Sequence, residues 1–289
     1  MIWVLALLTL LAAGVAADTS SETVIARNRL DIARAREAAE SGVSLAILGL
    51  LDPDPTKRLP TDGSLTSFDI GNSTVAVSIV DESGKIDLNV APADMIAGLA
   101  DELGIDADDR NALLAGIAAR RADVAKLTGG AASALAFAGD LTGADPGGLA
   151  QQAFADASEI GSLPGLSHDA VARLLPDLTV YSQRATINPL TATREILLAV
   201  PGISPEEVDF FLGARQQTSF EKPALGGVDR YVAVTPPRAV TITARARIGT
   251  ARFTREEVVL MSGNLPLRPY RILRWQQPRE APPNPAPTS

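Results

Sequence analysis

The sequence predicts an α+β fold in which a long N-terminal helix lies on an antiparallel sheet and a large all-helical insertion interrupts that sheet. Three observations predict this fold. No proline occurs before Pro53, so a helix can run through the whole first segment. Strand-like alternation of apolar and polar residues occurs both early and late in the chain. Between those strands, the range 92–228 has helical patterns separated by Gly-containing turns.

The N-terminal helix is predicted to have two parts. The uncharged apolar run 1–17 is predicted to be its transmembrane part, although Val15–Ala17 also resembles a signal-peptide cleavage site. The range 18–52 is predicted to continue the helix outside the membrane, for a total length of about 75 Å. It repeats apolar residues at three- and four-residue spacings, which predicts one apolar face. That face is predicted to consist of Leu30, Ala33, Val43, Ala46, Ile47 and Leu50.

Two groups of strands flank the helical range. The first part of the sheet is predicted at 53–91, where Ser73–Asn89 is predicted to form a β-hairpin. The second part is predicted at 229–277, and its strands are predicted at 238–248, 251–261 and 271–275. A helical domain inserted in one connection of a sheet explains this order of elements. The proline-rich range 278–289 is predicted to be a disordered tail.

The helical insertion contains an internal repeat. Leu163–Val171 matches Val200–Val208, and Leu103–Asp109 is a looser third copy. In each copy, a Gly suited to a left-handed helix end is followed by an apolar residue and then by a Ser or Asp that can cap the next helix. The repeats therefore predict helical hairpins that resemble those of helix-hairpin-helix and SAM-like domains.

Composition excludes several classes of function. The chain carries a formal charge of −8, contains no cysteine and has one histidine, His168. Disulfides, thiolate catalysis, multi-histidine metal sites and histidine-based triads are therefore excluded. Acids rather than Lys or Arg follow the hairpin turns, which disfavours binding to nucleic-acid phosphates. No catalytic or cofactor-binding residue is predicted, and the protein is predicted not to be an enzyme.

Two acidic clusters could bind calcium, but a structural role is favoured. Neither cluster has the Asp-x-Asp-x-Asp-Gly spacing, and both lie where the positive end of a helix favours acids. We therefore predict helix caps, while calcium stays possible and the metal ligands stay unknown. The clusters are Asp106/Asp108/Asp109 and Glu206/Glu207/Asp209.

Several further side chains are singled out by their positions. His168 is predicted to lie at the start of a repeat helix in a structural role. Arg245, Arg247 and Arg252 alternate along strands and are predicted to form an outward face, or alternatively a stripe that contacts a partner. The two tryptophans are predicted to lie in the membrane segment and at a sheet edge or core rim, at Trp3 and Trp275.

Four phrases of the sequence resemble a known family. They are the apolar start Ile2–Leu8, the strand-to-helix phrase Asp81–Ala91, its later echo Ile187–Ala192, and Leu197–Ile203. Taken together and in this order, they make the chain resemble the minor pseudopilin K of bacterial type II secretion systems, the general secretion pathway protein K family. The family's prepilin-peptidase site, a Gly before the apolar start, is not present in Met1-Ile2-Trp3.

The resemblance implies a pilin-like fold and a non-enzymatic role. The protein would be anchored in the bacterial inner membrane by a single span, with the bulk of the chain in the periplasm. With other minor pseudopilins it would cap the tip of the pseudopilus, above the major pseudopilin filament, start its assembly and support export of folded proteins across the outer membrane. The lack of an acid before Asp18 fits a cap, since pilin subunits ordinarily carry a Glu near the mature start that pairs with a neighbour's terminal amine.

Three alternatives stay open at this point. The first is a tip subunit of a type IV pilus-like filament. The second is a helix-hairpin-helix protein that binds nucleic acid, which the acidic turns disfavour. The third is a freely soluble exported protein, which would follow if the apolar run were cut away at Ala17.

Overall fold

The chain folds as a mixed helix and antiparallel-sheet protein with an N-terminal helix. The computed structural model describes residues 2–71, 73–128, 152–215, 228–261 and 269–276, and for residues 5–23 it describes the helical backbone alone. The predicted tail, 278–289, lies outside the described residues. The chain divides into two compact units. The first consists of Met1–Ile79, Thr241–Val259 and Leu265–Ser289, and the second of Val80–Val240 and Leu260–Asn264.

Helix α1 runs without a break from Ile2 to Leu50, over 49 residues, as predicted. Its C-terminal half buries one stripe of side chains spaced three or four apart, which places them on one face of the helix. Of the six residues predicted for this face, Leu30 and Ala33 are exposed, so the prediction was wrong for these two. It was correct for the other four, which are Val43, Ala46, Ile47 and Leu50. At 100° per residue, Leu30 and Ala33 both lie about 140–160° around the helix from Ala35. The stripe consists of Ala35, Ala38, Ala39, Val43, Ala46, Ile47 and Leu50.

The predicted transmembrane part of α1, 1–17, falls largely on positions whose side chains lie outside the described set. Among the helices whose side chains are described, none is both long enough and apolar enough to cross a membrane.

The main sheet has five strands in the order β1-β2-β5-β6-β7. Short turns join β1 to β2 and β5 to β6, and Gly71 and Gly249 in these turns have φ of +59° and +57°. Turns this short require antiparallel neighbours. The helical insertion leaves the sheet after β2 and returns at β5. The strands are β1 (Asp62–Ile70), β2 (Ser73–Asp81), β5 (Ala239–Ile248), β6 (Ala251–Met261) and β7 (Tyr270–Gln276).

Helix α1 packs closely on β2 and β5. A Cβ built at Gly42 would lie 2.8 Å from Val75 Cγ1 and 3.5 Å from Ala244 Cβ, and one built at Gly249 would lie 3.7 Å from Asp31 Oδ2. From Asp31 to Gly42 the helix rises about 16 Å, and from Ala244 to Gly249 a strand extends about 16 Å. The two lengths agree, so β5 runs alongside α1 in the opposite direction, with its turn beside Asp31.

The predicted hairpin at Ser73–Asn89 is wrong. β2 pairs with β1 and β5, while the next strand, β3 (Ile86–Asp87), pairs in parallel with β4 (Leu178–Thr179) in a separate two-stranded sheet. The residues between β2 and β3, Glu82–Gly84, form a 3-10 turn rather than a hairpin turn. Alternation along the sequence identified the strands but did not identify their partners, because pairing depends on residues far away in the chain.

The range between β2 and β5 contains the predicted hairpins, but the prediction that it is all-helical is wrong, because strand β4 (Leu178–Thr179) lies within it and pairs with β3. The first is formed by α2 (Ala93–Glu102) and α3 (Ala107–Thr128). The second joins the 3-10 segment Ala157–Ser162 to α4 (His168–Leu174), and the third joins α5 (Arg194–Leu198) to α6 (Pro205–Arg215).

Candidate functional site: a helix surface, three hairpins and a buried polar junction

The first feature with functional potential is the part of α1 that precedes the sheet. Ile25 and Ile32 continue the direction of the buried stripe towards the N-terminus, yet their exposed fractions are 51% and 51%. Val24 lies on the same side and is 57% exposed. Apolar side chains aligned with a buried stripe but left uncovered are typical of a surface that packs against another molecule. We call Val24, Ile25 and Ile32 the uncovered stripe.

The turns of the three hairpins have the same construction. Gly104, Gly165 and Gly202 have φ of +64°, +82° and +94°, the left-handed region that Gly adopts readily. The residue two positions after each Gly caps the next helix. Asp106 Oδ1 accepts from the backbone N–H of Asp109 at 2.8 Å, and the hydroxyls of Ser167 and Ser204 accept from helix N–H groups at 3.2 and 3.3 Å. The repeat therefore encodes a helix-turn-helix joint.

The acidic clusters are used within the hairpins. Glu207 Oε2 accepts from Ser204 N–H at 2.9 Å, which completes a capping box. Asp209 pairs with Arg194 of the preceding helix at 2.8 Å. The hydrogen bond from Ser204 lowers the pKa of Glu207, and the hydrogen bond from Arg194 lowers the pKa of Asp209. Asp108 is exposed at the start of α3. Within the described part of the chain, no group of three or more acidic or His side chains is arranged to hold a metal ion.

One acid links two hairpins. Asp109, in the first turn of α3, accepts from the backbone N–H and the hydroxyl of Ser167, both at 2.6 Å. Ser167 is the N-cap of α4 in the second hairpin. The two hydrogen bonds lower the pKa of Asp109. Asp109, which belongs to the acidic cluster Asp106/Asp108/Asp109, therefore joins two neighbouring hairpins. Spacing along the sequence did not indicate this role.

The second feature is a buried polar junction around Asp81, the last residue of β2. Asp81 is 1% exposed, and its carboxylate accepts from the backbone N–H and hydroxyl of Ser83 at 2.9 and 2.6 Å. It also accepts from Asn188 Nδ2 at 3.2 Å and from Thr191 Oγ1 at 3.4 Å. Asn188 N–H donates in turn to the Ser83 carbonyl at 2.7 Å. These donors offset the cost of burying the Asp81 carboxylate.

The same junction leaves no room beside Gly84. A Cβ at this position would lie 2.7 Å from Thr191 Oγ1 and 2.8 Å from the Thr191 backbone carbonyl carbon. The phrases Asp81–Ala91 and Ile187–Ala192, noted separately in the sequence, therefore meet in the fold. We call Asp81, Ser83, Gly84, Asn188 and Thr191 the polar junction.

Glu82 and Lys85 extend the polar contacts on the other side of the same turn. Lys85 Nζ lies 2.8 Å from Glu82 Oε1, and the Glu82 side chain is 3% exposed. Thr179 Oγ1 of β4 donates to the other oxygen of Glu82. Each oxygen of this buried carboxylate therefore has a donor, which offsets the cost of its burial.

Asp87 of β3 holds a strained turn. Its carboxylate accepts from the Ser182 hydroxyl at 3.0 Å and from Gln183 N–H at 2.7 Å. Gln183 has φ of +50°, and among the described residues other than Gly it alone has a positive φ. Burial raises the pKa of Asp87, although these hydrogen bonds and one from Asn89 N–H oppose the rise. Arg121 lies close enough to favour the anion, and burial lowers the pKa of that guanidinium.

The remaining predicted residues lie where the sequence placed them. His168 is the first residue of α4, directly after the Ser167 cap. Arg245, Arg247 and Arg252 are exposed, while the residues next to them, Ala244, Ala246 and Phe253, are buried. The predicted outward face is therefore confirmed.

The two tryptophans are both exposed. Trp3 is 87% exposed near the start of α1. Trp275 lies on the edge strand β7 and is 63% exposed, with the Arg255 guanidinium 4.4 Å from its ring centroid. A cation over an aromatic face stabilises such a contact modestly. Trp275 therefore lies on a strand at the sheet edge, while the covering of this edge or of the core rim by its side chain stays a prediction.

The fold is similar to that of a solved protein. A chain of the GspK–GspI–GspJ complex, from the type 2 secretion system of enterotoxigenic Escherichia coli, matches with a TM-score of 0.52. The match covers 91% of this chain and 99% of that chain at 16% sequence identity. At this level of identity, the likeness establishes a shared fold. Neither a protein-family model nor a curated protein matches the sequence.

Proposed function

We propose that this protein is a non-enzymatic minor pseudopilin that caps the tip of a type II secretion pseudopilus, starts its assembly and so supports export of folded proteins across the outer membrane. One observation carries the proposal. The fold matches a chain of the GspK–GspI–GspJ complex with a TM-score of 0.52, over 91% of this chain and 99% of that chain.

The architecture supports a filament subunit. The C-terminal half of this 49-residue helix is buried on a sheet, whereas the apolar side chains of Val24, Ile25 and Ile32 are exposed and available to pack on another subunit. In this interpretation the helix and the five-stranded sheet form a pilin-like fold, and Val80–Val240 is the inserted domain particular to this subunit. An insertion of this size on one subunit fits a terminal position, because a bulky domain obstructs stacking of a further subunit.

The proposed location follows from the apolar run 1–17. We propose that this run anchors the protein in the inner membrane, with the bulk of the chain in the periplasm. An apolar stretch of this length is near the minimum for a span, and a helix that continues directly from it holds the sheet at a fixed height above the bilayer.

The uncovered stripe supports binding to other minor pseudopilins. Val24, Ile25 and Ile32 would be covered by the α1-type helices of partner subunits, as expected for apolar side chains on one helix face. The three hairpins would then serve as a packing module, because four of the acids at their turns are engaged by helix caps, by Ser167 or by Arg194, namely Asp106, Asp109, Glu207 and Asp209.

The proposal is tested by co-purification. The full chain, extracted in detergent, is expressed together with GspI-type and GspJ-type subunits of the same bacterium. The three chains are expected to elute as one complex in size-exclusion chromatography. Elution of this chain by itself, under conditions in which the two partners are folded and associate with each other, would contradict the proposal. A nucleic-acid-binding role would instead be indicated by retention of labelled DNA at low salt.

A further inference from the structure

In the part of the chain that the structure describes, the exposed arginines of β5 and β6 have no acidic partner. Arg245, Arg247 and Arg252 are exposed on the outward side of the strands. Across the described residues, none of the three forms an ion pair, and Arg247 Nε donates to the Gly249 carbonyl at 3.3 Å. The fourth arginine of these strands, Arg255, pairs with Glu257 at 2.9 Å. Three unpaired cations on one face are notable in a chain of net charge −8.

The hairpin brings two of these charges together. β5 ends at Ile248 and β6 begins at Ala251, so a two-residue turn places Arg247 opposite Arg252 on the same side of the sheet. Like charges directly opposite each other destabilise a strand pair. An anion bound between them would remove this repulsion.

The hairpin tip lies beside the part of α1 that points to the apolar run. Gly249 of the turn is next to Asp31, as shown by the 3.7 Å approach of a built Cβ. Arg27 lies one helical turn before Asp31 on the same face and is exposed. We call Arg245, Arg247 and Arg252 the arginine patch; Arg27 lies at the same end of the unit, on the helix side of the sheet. The arginine patch occupies one end of the first unit.

Among the residues whose side chains are described, two acids at this end of the unit, Asp31 and Asp69, have partners of their own. Asp31 lies 3.9 Å from Arg34, and Asp69, near the β1–β2 turn, accepts from the Thr74 hydroxyl at 2.9 Å. The β1–β2 turn is at the same end, since Ser73 Oγ donates to the Arg247 carbonyl at 3.2 Å. The three exposed arginines of the strands outnumber these two acids, one of which also lies close to Arg34.

The helix sets the distance from the patch to the apolar run. Between Ala17 and Arg27 α1 rises about 15 Å, and between Ala17 and Asp31 about 21 Å. Lipid headgroups extend about 5–8 Å beyond the hydrocarbon, and arginine side chains reach several ångströms further. The remaining distance between the arginine side chains and the lipid headgroups is close to one Debye length of about 8 Å. An average tilt of the helix of about 20° from the membrane normal shortens this distance.

We propose that the arginine patch binds the headgroups of anionic phospholipids and thereby docks the β5–β6 hairpin on the membrane surface. This inference rests on the membrane anchor of the proposed function. Phosphate groups suit paired guanidinium groups because each guanidinium donates two parallel hydrogen bonds. Docking would tilt the sheet towards the bilayer before the subunit enters a filament.

The test uses the absence of native cysteine. A Thr250→Cys substitution at the exposed hairpin turn carries a fluorescent label in the full chain. The chain is placed in vesicles of phosphatidylcholine alone, or of phosphatidylcholine mixed with phosphatidylglycerol, each with a trace of lipid bearing a short-range quencher on its headgroup. We expect strong quenching with phosphatidylglycerol, weak quenching without it, and loss of quenching at high salt.

Two double variants distinguish an effect of the arginine patch from an effect of the net charge of the protein. Each cation near an anionic surface changes the ratio of docked to undocked chain about fivefold. The double variant Arg247→Gln/Arg252→Gln removes two cations and is therefore expected to lower this ratio roughly 25-fold. Lys57→Gln/Lys126→Gln removes two exposed charges elsewhere and is expected to leave the ratio unchanged. Similar quenching in the two vesicle types, or in both double variants, would overturn the inference.

Two further readouts distinguish the possible failures. If Arg247→Gln/Arg252→Gln lowers binding to partner subunits and leaves lipid quenching intact, the patch is a protein interface and the lipid inference is wrong. If the chain does not float with either type of vesicle, the membrane anchor of the proposed function fails as well. Flotation without dependence on phosphatidylglycerol overturns the docking inference alone.

Discussion

Asn188 Nδ2 donates to Asp81 Oδ2 at 3.2 Å and joins two parts of the chain that are 107 residues apart. The backbone N–H of Asn188 also donates to the Ser83 carbonyl at 2.7 Å. Asn188 therefore contacts both the last residue of β2 and the turn that follows it. The contact therefore fixes the path by which the chain leaves the strand and begins the insertion.

Asn188→Ala is expected to destabilise the protein by about 1–3 kcal/mol, because it removes a donor from a buried carboxylate. The measurement is thermal unfolding followed by circular dichroism. Asn111→Ala, on an exposed position of α3, is the matched control and is expected to leave the unfolding temperature nearly unchanged. Equal unfolding temperatures for the wild type and Asn188→Ala would contradict the role assigned to the polar junction.

Gly84→Ala tests the close approach of Thr191. The added Cβ would meet Thr191 backbone atoms at 2.8–2.9 Å, so the backbone must shift, at a cost of about 1–3 kcal/mol. Gly213→Ala is the control, since a Cβ at this position in α6 has no neighbour within 4 Å. There Ala favours the helix by roughly 0.5–1 kcal/mol. The two variants should therefore shift the midpoint of urea unfolding in opposite directions.

The bond between Asp109 and Ser167 should make stability depend on pH. The pKa of Asp109 is lowered from 3.8 by two hydrogen bonds from Ser167. A carboxyl with a lower pKa in the folded state stabilises the fold above the unfolded value, and this contribution is lost as the pH falls through the folded pKa.

Asp109→Asn should therefore lower the unfolding temperature at pH 7, and the difference from the wild type should shrink as the pH falls below about 4. The exposed neighbour provides the comparison, because Asp108→Asn should change the unfolding temperature at pH 7 only slightly. A penalty for Asp109→Asn that stays constant from pH 7 to acid would show that the charge of Asp109 does not matter.

Much of the fold could be predicted from the sequence because its signals are local. The absence of proline before Pro53 predicted α1, and Gly104, Gly165 and Gly202 with the caps that follow them predicted the hairpins. These features depend on backbone conformation and hydrogen bonds within a few residues. Local rules identified them without knowledge of the rest of the fold.

The pairing of β3 and the buried extent of α1 could not be predicted in the same way. β3 pairs with β4, which lies about ninety residues later, and alternation along one strand carries no information about a distant partner. Leu30 was assigned to the buried face because its spacing fits a helix, but which face is covered depends on the position of the sheet. The polar junction was noted as two separate phrases for the same reason.

Ile32→Glu tests the uncovered stripe. Ile32 is 51% exposed, so the variant should unfold at nearly the wild-type temperature, while binding to partner subunits should fall by about tenfold or more if the side chain is buried in the complex. Leu30→Glu is a matched control at nearly the same height on the other face of α1, with 49% exposure. Equal loss of the complex in both variants would show that the stripe is not the contact face.

The central claim is that this chain occupies the end of a filament. The most direct measurement is labelling of the full chain in assembled pseudopili, with electron microscopy to locate the label along each filament. A position at the filament tip predicts one label at one end of each filament, and a role in starting assembly predicts that no filament forms when the chain is absent. Labels distributed along the filament length, or normal assembly without the chain, would contradict it.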